Sequence, residues 1–256
     1  MKKIYAVWER EVNSYFTSPI AYVSISVFLI LFGWFFYNSV IWYTQMSMQA
    51  MTSSPFLQGQ LNIDRMVVRP IFSATSIIVL ILTPAMTMRL FAEERRLGAF
   101  ELIYTSPIDK LEWVLGKFAA AATLFFAFLA LTVYVPFILL TYGEPDLWAL
   151  LSSYLGVFLM GLAFISFGLF ASSLTENQII AAVITGGGLL FLWLLVLAGS
   201  VIEGAWGEVL LYISVIEHFN DFNNGIIDSR HLIYYATFII FFLTATVKVL
   251  DSQSWR

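Results

Sequence analysis

The sequence predicts an all-α integral membrane protein: six transmembrane helices behind an N-terminal amphipathic helix lying in the membrane interface. Three observations carry this expectation. Hydrophobic residues make up 60% of the 256-residue chain and charged residues 12%, against roughly 45–50% apolar and 25% charged in an ordinary soluble domain. A globule of this size could not hide so much apolar side chain, so the bilayer must act as its solvent. Six uncharged stretches reach or approach spanning length, which is roughly 20 residues at about 1.5 Å each. Lys and Arg also gather on one side of those stretches, as described below.

Residues 2–17 come first. Ile4, Val7, Trp8, Val12, Tyr15 and Phe16 recur at helical spacing with Lys3, Arg10, Asn13 and Ser14 opposite, the pattern of an interfacial helix. Glu9, Arg10 and Glu11 interrupt any apolar core that Lys2 and Lys3 might introduce, so this start does not read as a cleavable signal. Glu11 falls on the apolar face, and two readings stay open: its carboxylate reaches up to the headgroups, or it pairs with a basic residue of 89–96. Thr17-Ser18-Pro19 makes an elbow into the first span.

The spans follow at about 20–43, 70–88, 118–142, 147–174, 178–202 and 232–247. They must be helices, because open strands leave backbone groups unpaired in lipid. The second and last are short but extend readily into flanking sequence. With the N-terminus inside, cytoplasmic segments hold Lys2, Lys3, Arg10, Arg89, Arg95, Arg96, Lys110, Lys117, Lys248 and Arg256, while Arg65, Arg69 and Arg230 lie outside. This asymmetry puts both termini in the cytoplasm.

Two external segments exceed a simple connector. Residues 44–69 contain Met46, Met48, Met51 and a Ser53-Ser54-Pro55 turn, and residues 203–230 contain a short apolar run, 209–216, flanked by Glu208 and Glu217. Eight residues cannot span, so the second reads as a re-entrant or surface helix. No repeat divides the chain, which reads as one domain, 1–256.

Several function classes are disfavoured. The net charge of −4 offers no basic face for nucleic acid. The chain has no Cys and two His, His218 and His231, too few for a histidine metal centre. No ionisable residue falls in the middle of a span, which weighs against an ion-coupled transporter or intramembrane protease. Gly116-Lys117 runs into Phe118 without the upstream glycine or hydroxyl of a phosphate-binding loop, so any ATP energy must enter from another chain. No nucleophile, base and orienter set supports an enzyme, and metal ligands are not expected. Gly186-Gly187-Gly188 reads as close helix packing, with a flexible gate as the alternative. Pro84 and Pro136 are candidate bends, and Glu217 and His218 read as interface anchors.

Residues 89–117 are dense in both charge signs, with an apolar face of Leu97, Phe100, Leu102 and Ile103 that ends at Thr105-Ser106-Pro107. They are either a socket for a soluble partner or a solvated turn that sets topology. The run Glu93-Glu94-Arg95-Arg96-Leu97-Gly98, Phe100-Glu101-Leu102, Thr105-Ser106-Pro107-Ile108 and Gly116-Lys117 resembles the ABC-2 type permeases, the membrane subunits of ATP-binding-cassette exporters. Ala99 stands where that pattern usually has Thr. Glu217-His218-Phe219, Phe222 and Gly225-Ile226-Ile227-Asp228 are similar to the family's segment before its last span. The nearest subgroup is the gliding-motility-associated GldF-like permeases.

The resemblance implies a type V exporter-like fold in a bacterial cytoplasmic membrane. It also implies pairing with a second permease, identical or different, and with separate ATPase subunits that bind ATP and Mg. Surrounding lipid is the remaining partner. Carried over by position, Glu93, Glu94, Arg95, Arg96, Gly98, Glu101, Leu102 and Pro107 would form the coupling segment, with Gly116 shaping the return to the membrane. Trp8, Arg10 and Glu11 would belong to the interfacial helix, and His218, Phe219 and Asp228 to the external segment. The chain itself would be no enzyme and would carry no cofactor. The rival reading is a non-transporting membrane scaffold or channel-like oligomer that docks a cytoplasmic partner.

Overall fold

A computed structural model describes residues 2–53, 62–98 and 109–253, and among them every regular element is helical. In chain order these are α1 (Lys2–Thr17), α2 (Pro19–Ser53), a π-wound stretch (Asp64–Val68) running into α3 (Arg69–Thr87), and the short α4 (Ala92–Arg96). Then come α5 (Lys110–Ala130), α6 (Tyr134–Tyr142), α7 (Leu147–Ser173), α8 (Gln178–Val201), α9 (Ala205–Ile213), α10 (Val215–Asn223) and α11 (Ser229–Gln253). Six helical stretches are long and apolar enough to cross a membrane, so the predicted class holds.

The helices start where polar caps allow. The Asp109 side chain accepts from the backbone of Glu112, whose carboxylate returns to the Asp109 N–H, closing a capping box on α5. Asp146 accepts from the Trp148 N–H to start α7, and Asn177 caps α8 through the N–H groups of Ile179 and Ile180.

Several boundaries differ from the sequence reading. The first spanning helix does not stop near residue 43 but runs past Met46 and Met48 to Ser53. Its 35 residues extend about 52 Å. The third span is broken at Leu131–Val133. Pro136 has no N–H to return to the Thr132 carbonyl, which instead accepts from the Val135 N–H at 3.0 Å and the Tyr154 hydroxyl at 3.1 Å. Pro84, by contrast, sits inside α3 without breaking it. The external run over 209–216 is not one helix: α9 and α10 meet at Ser214. The run straddles two environments, because Val209, Tyr212 and Ile213 stay exposed while Val215 and Ile216 are buried.

Helix α7 is the axis of the bundle and packs against α3, α5, α8, α10 and α11. Small residues make that possible, since in lipid close backbone approach replaces the hydrophobic drive. A Cβ at Gly156 would stand 2.5 Å from Phe222 Cβ, one at Gly161 would overlap the Phe125 ring, and one at Gly168 would overlap Thr87. Gly188 of α8 likewise admits the Phe167 ring, Gly186 faces Pro84 at 3.5 Å, and Gly187 faces open space. Helix α8 runs without interruption through all three.

Gly161→Ala should therefore destabilise the purified protein by about 1–3 kcal/mol. Gly187→Ala should be neutral or stabilising by up to about 1 kcal/mol. Thermal unfolding in detergent, read side by side, checks the contrast.

Candidate coupling site at the basic end

The site begins with Gly116. A Cβ there would lie 2.6 Å from Val7 Cβ and 3.2 Å from the Ile4 carbonyl, so only glycine lets α1 press this closely onto α5. That approach carries Glu11 over the next residue, Lys117. The Lys117 Nζ donates to Glu11 Oε1 at 3.0 Å and lies 3.0 Å from Glu94 Oε2. Arg10 Nη2 completes the ring, 2.7 Å from Glu11 Oε1 and 2.5 Å from Glu94 Oε1. Two cations and two carboxylates from α1, α4 and α5 thus form one closed cluster.

Lys117 is the deepest member, its side chain 1% exposed. Its ammonium also lies 5.3 Å from the Phe91 ring centroid and 5.8 Å from that of Trp113, within cation–π range. Removing an ammonium from water costs several kcal/mol, which only close counter-charges offset. Burial pushes the Glu11 carboxyl up, but the charges of Lys117 and Arg10, with their hydrogen bonds, hold it below its usual value. Burial lowers and Glu11 and Glu94 raise the Arg10 guanidinium, with a net upward result.

Both earlier readings of Glu11 require correction. The carboxylate neither reaches the headgroups nor pairs with a base of 89–96; it binds Lys117 and Arg10. The 89–96 segment contributes an acid, Glu94. Glu11, on the apolar face of α1, is turned inward because the buried cation of α5 needs a counter-charge besides Glu94.

Three further ties fix α4. The buried Ser172 hydroxyl of α7 accepts from the Phe91 and Ala92 N–H groups at 3.1 and 3.2 Å and donates to the Met88 carbonyl at 3.0 Å. The Tyr15 hydroxyl donates to the Met86 carbonyl at 3.1 Å. Arg89 lies over the Tyr15 ring at 4.8 Å and donates to Ser18 Oγ at 3.1 Å. Between α1 and α4 lies a cleft of about 510 Å³, lined in part by Glu93 and Leu97.

Arg96, Leu97 and Gly98 are exposed and Arg95 is half-buried. Gly98 has φ +69°, the left-handed geometry that ends a helix and suits glycine. Glu101, Leu102 and Pro107 lie outside the described residues, as does Ala99. Trp8 is drawn toward α5, its Nε1 donating to Thr123 Oγ1 at 2.9 Å. The other singled-out residues are elsewhere. Gly186–Gly188 lie within α8, whereas His218, Phe219 and Asp228 lie at the opposite, far end. There Phe219 is buried beside Gly156 and Asp228 accepts from the Arg230 N–H at 2.9 Å.

The roles of two residues escaped the sequence reading. Lys117 had a usable signal: a lone cation just inside an apolar span needs a carboxylate, and Glu11 was the misplaced one. Ser172 had none, since a serine in a spanning helix is ordinary.

Lys117→Met should cost about 3–5 kcal/mol by leaving two partly buried carboxylates with Arg10 as their one remaining counter-charge. The triple variant Lys117→Met, Glu11→Gln, Glu94→Gln should recover much of that in the same thermal assay. Because Glu11 is held low, its stabilisation is complete at neutral pH. It is lost only as pH falls below the ordinary value of 4.5.

No curated protein matches the chain. The family model described as ABC-2 family transporter protein matches residues 44–248. That match takes in α3 through α10 and most of α11, including Glu94, Lys117 and Ser172. With its six membrane-length helices, the chain belongs to the ABC-2 family of transporters and is a permease component of an ABC transporter.

Proposed function

We propose that a separate ATPase subunit docks on α4 and the residues that follow it, and that its ATP-driven closure tilts the spanning helices. The carrying observation is the way α4 is bolted. Glu94 joins it to α1 and α5, and Ser172 joins the turn before it to α7. A push on α4 is therefore delivered to three packed elements, the geometry of a hinge or shear transition. Its free end presents Arg96 and Leu97, the latter 69% exposed, to a partner. The excess of Lys and Arg at this end supports a cytoplasmic placement, in a bacterial inner membrane, with both termini inside. ATP and Mg then belong to the partner.

Helices α2, α8 and α11 bury few residues within the chain. Ile30, Trp34, Val183, Phe191, Ile233 and Ile240 stay exposed, leaving apolar flanks for lipid and for a second permease, identical or different. A role in export or in a gliding-motility machine rests on the motif resemblance in 93–117.

The test is to purify the assembly from its native membrane, weigh it intact and assay ATP hydrolysis. The expected result is a complex containing a nucleotide-hydrolysing subunit. Leu97→Asp and Glu101→Lys should each lower stimulated hydrolysis on the order of tenfold without moving the thermal midpoint. A chain recovered only as an oligomer of itself, with no hydrolysing companion, would select the scaffold or channel-like reading instead.

A further inference from the structure

The chain's two histidines meet at the far end. His218 on α10 and His231 on α11 approach with their Nδ1 atoms 2.7 Å apart. Two ring nitrogens stand that close only with a proton between them, because bare lone pairs repel. Each ring is engaged at its other nitrogen as well. His218 Nε2 lies 2.9 Å from the Tyr212 carbonyl, and His231 Nε2 lies 2.8 Å from Asp221 Oδ2.

Counting protons decides the state of this line. A carbonyl only accepts, and an ionised carboxylate only accepts. The three contacts therefore need three protons: one toward Tyr212, one between the rings and one toward Asp221. Two neutral imidazoles supply two. We infer that His218 and His231 together bind one excess proton, shared along the line and balanced by Asp221, and that this proton clamps the α9–α10 elbow to the start of α11.

The surroundings place the charge. Burial first, then His231 and Arg230, keep His218 below the ordinary histidine value despite its carbonyl bond and Asp221. The Asp221 carboxylate, 2.8 Å from His231 Nε2, supplies the counter-charge at that end of the line. The other titratable and charged groups facing the pair are Tyr212 of α9, Tyr234 and Tyr235 of α11, and Arg230 with Asp228 at the mouth. Behind the elbow, the ionisable side chains are Arg69 at the head of α3 and Tyr154 of α7, and α8 carries none. The three side chains run in a line rather than converging, and among the described residues no His, Asp and Glu group forms a metal-ligand set.

The elbow has two other ties to α11. The Tyr234 hydroxyl donates to the Ile213 carbonyl at 2.6 Å and the Tyr235 hydroxyl to the Val215 carbonyl at 3.0 Å. Tyr234 also stacks on His218 with ring centroids 3.8 Å apart. Of these ties, the histidine contact is the one whose bridging proton is carried by imidazole. Once the third proton leaves, two protons serve three contacts, so one contact of the line is left with facing lone pairs and opens.

Both histidines of the sequence belong to this site, so histidine labelling reports on it alone. The experiment is the full chain, tag removed, in detergent or lipid, with [15N]histidine and spectra taken from about pH 5 to 9, around the ordinary value of about 6.5. At pH 8, three of the four ring nitrogens should be protonated, and Asp221→Asn should reduce the count to two. A wild-type count of two at pH 8, with both rings titrating at the ordinary value, overturns the proposal whether or not the variant folds. Hydrogen exchange over 212–218, corrected for its intrinsic pH dependence, should rise about tenfold as the third proton leaves. Unchanged exchange would remove the clamp.

Discussion

Much of this structure depends on the cost of holding one ammonium group out of water. Lys117 lies almost wholly inside the protein, near the basic end of α5. It stays charged at tolerable expense only because two carboxylates and two aromatic faces reach it. Those groups come from chain segments far apart in sequence, so satisfying the lysine also gathers the segments. Helix α1 is held against α5, and α4 is held to both. The neighbouring Gly116 is part of the same device, since any larger residue would hold α1 away and break the charge contacts.

The second constraint is packing without a hydrophobic drive. Helix α7 meets five other helices, and it does so with glycine, serine and alanine along its faces. Rings and methyls from its neighbours fill the space that absent side chains leave. Ser172 adds a polar function to the same helix by satisfying the turn between α3 and α4. The central helix and the turn leading into the peripheral α4 are thereby joined.

The two ends of the molecule are built differently. At the basic end, full charges are matched in a closed ring of four side chains. At the far end, the α9–α10 elbow is held by hydroxyl-to-carbonyl bonds and a line of histidines ending at one carboxylate. A ring of matched full charges shares no proton between its members, whereas the histidine line is held by protons shared along it. The same fold thus carries a permanent fastening at one end and a titratable one at the other.

The sequence by itself determined the fold class, the approximate spans and the amphipathic character of α1. All of these follow from local composition, since a run of apolar residues or a helical repeat is visible without knowing its neighbours. It also marked Gly116, Lys117, Glu11, Glu94 and His218 as noteworthy. Only the tertiary structure decided who pairs with whom. Glu11 belongs to Lys117 and not to a base of 89–96, and Arg10 belongs to Glu94. His218 meets His231 across an elbow whose break at Ser214 no periodicity announced. The reason is that a charge or a lone pair in a poorly solvated site is governed by the nearest complementary group in space, and that distance is set by helix packing rather than by position along the chain.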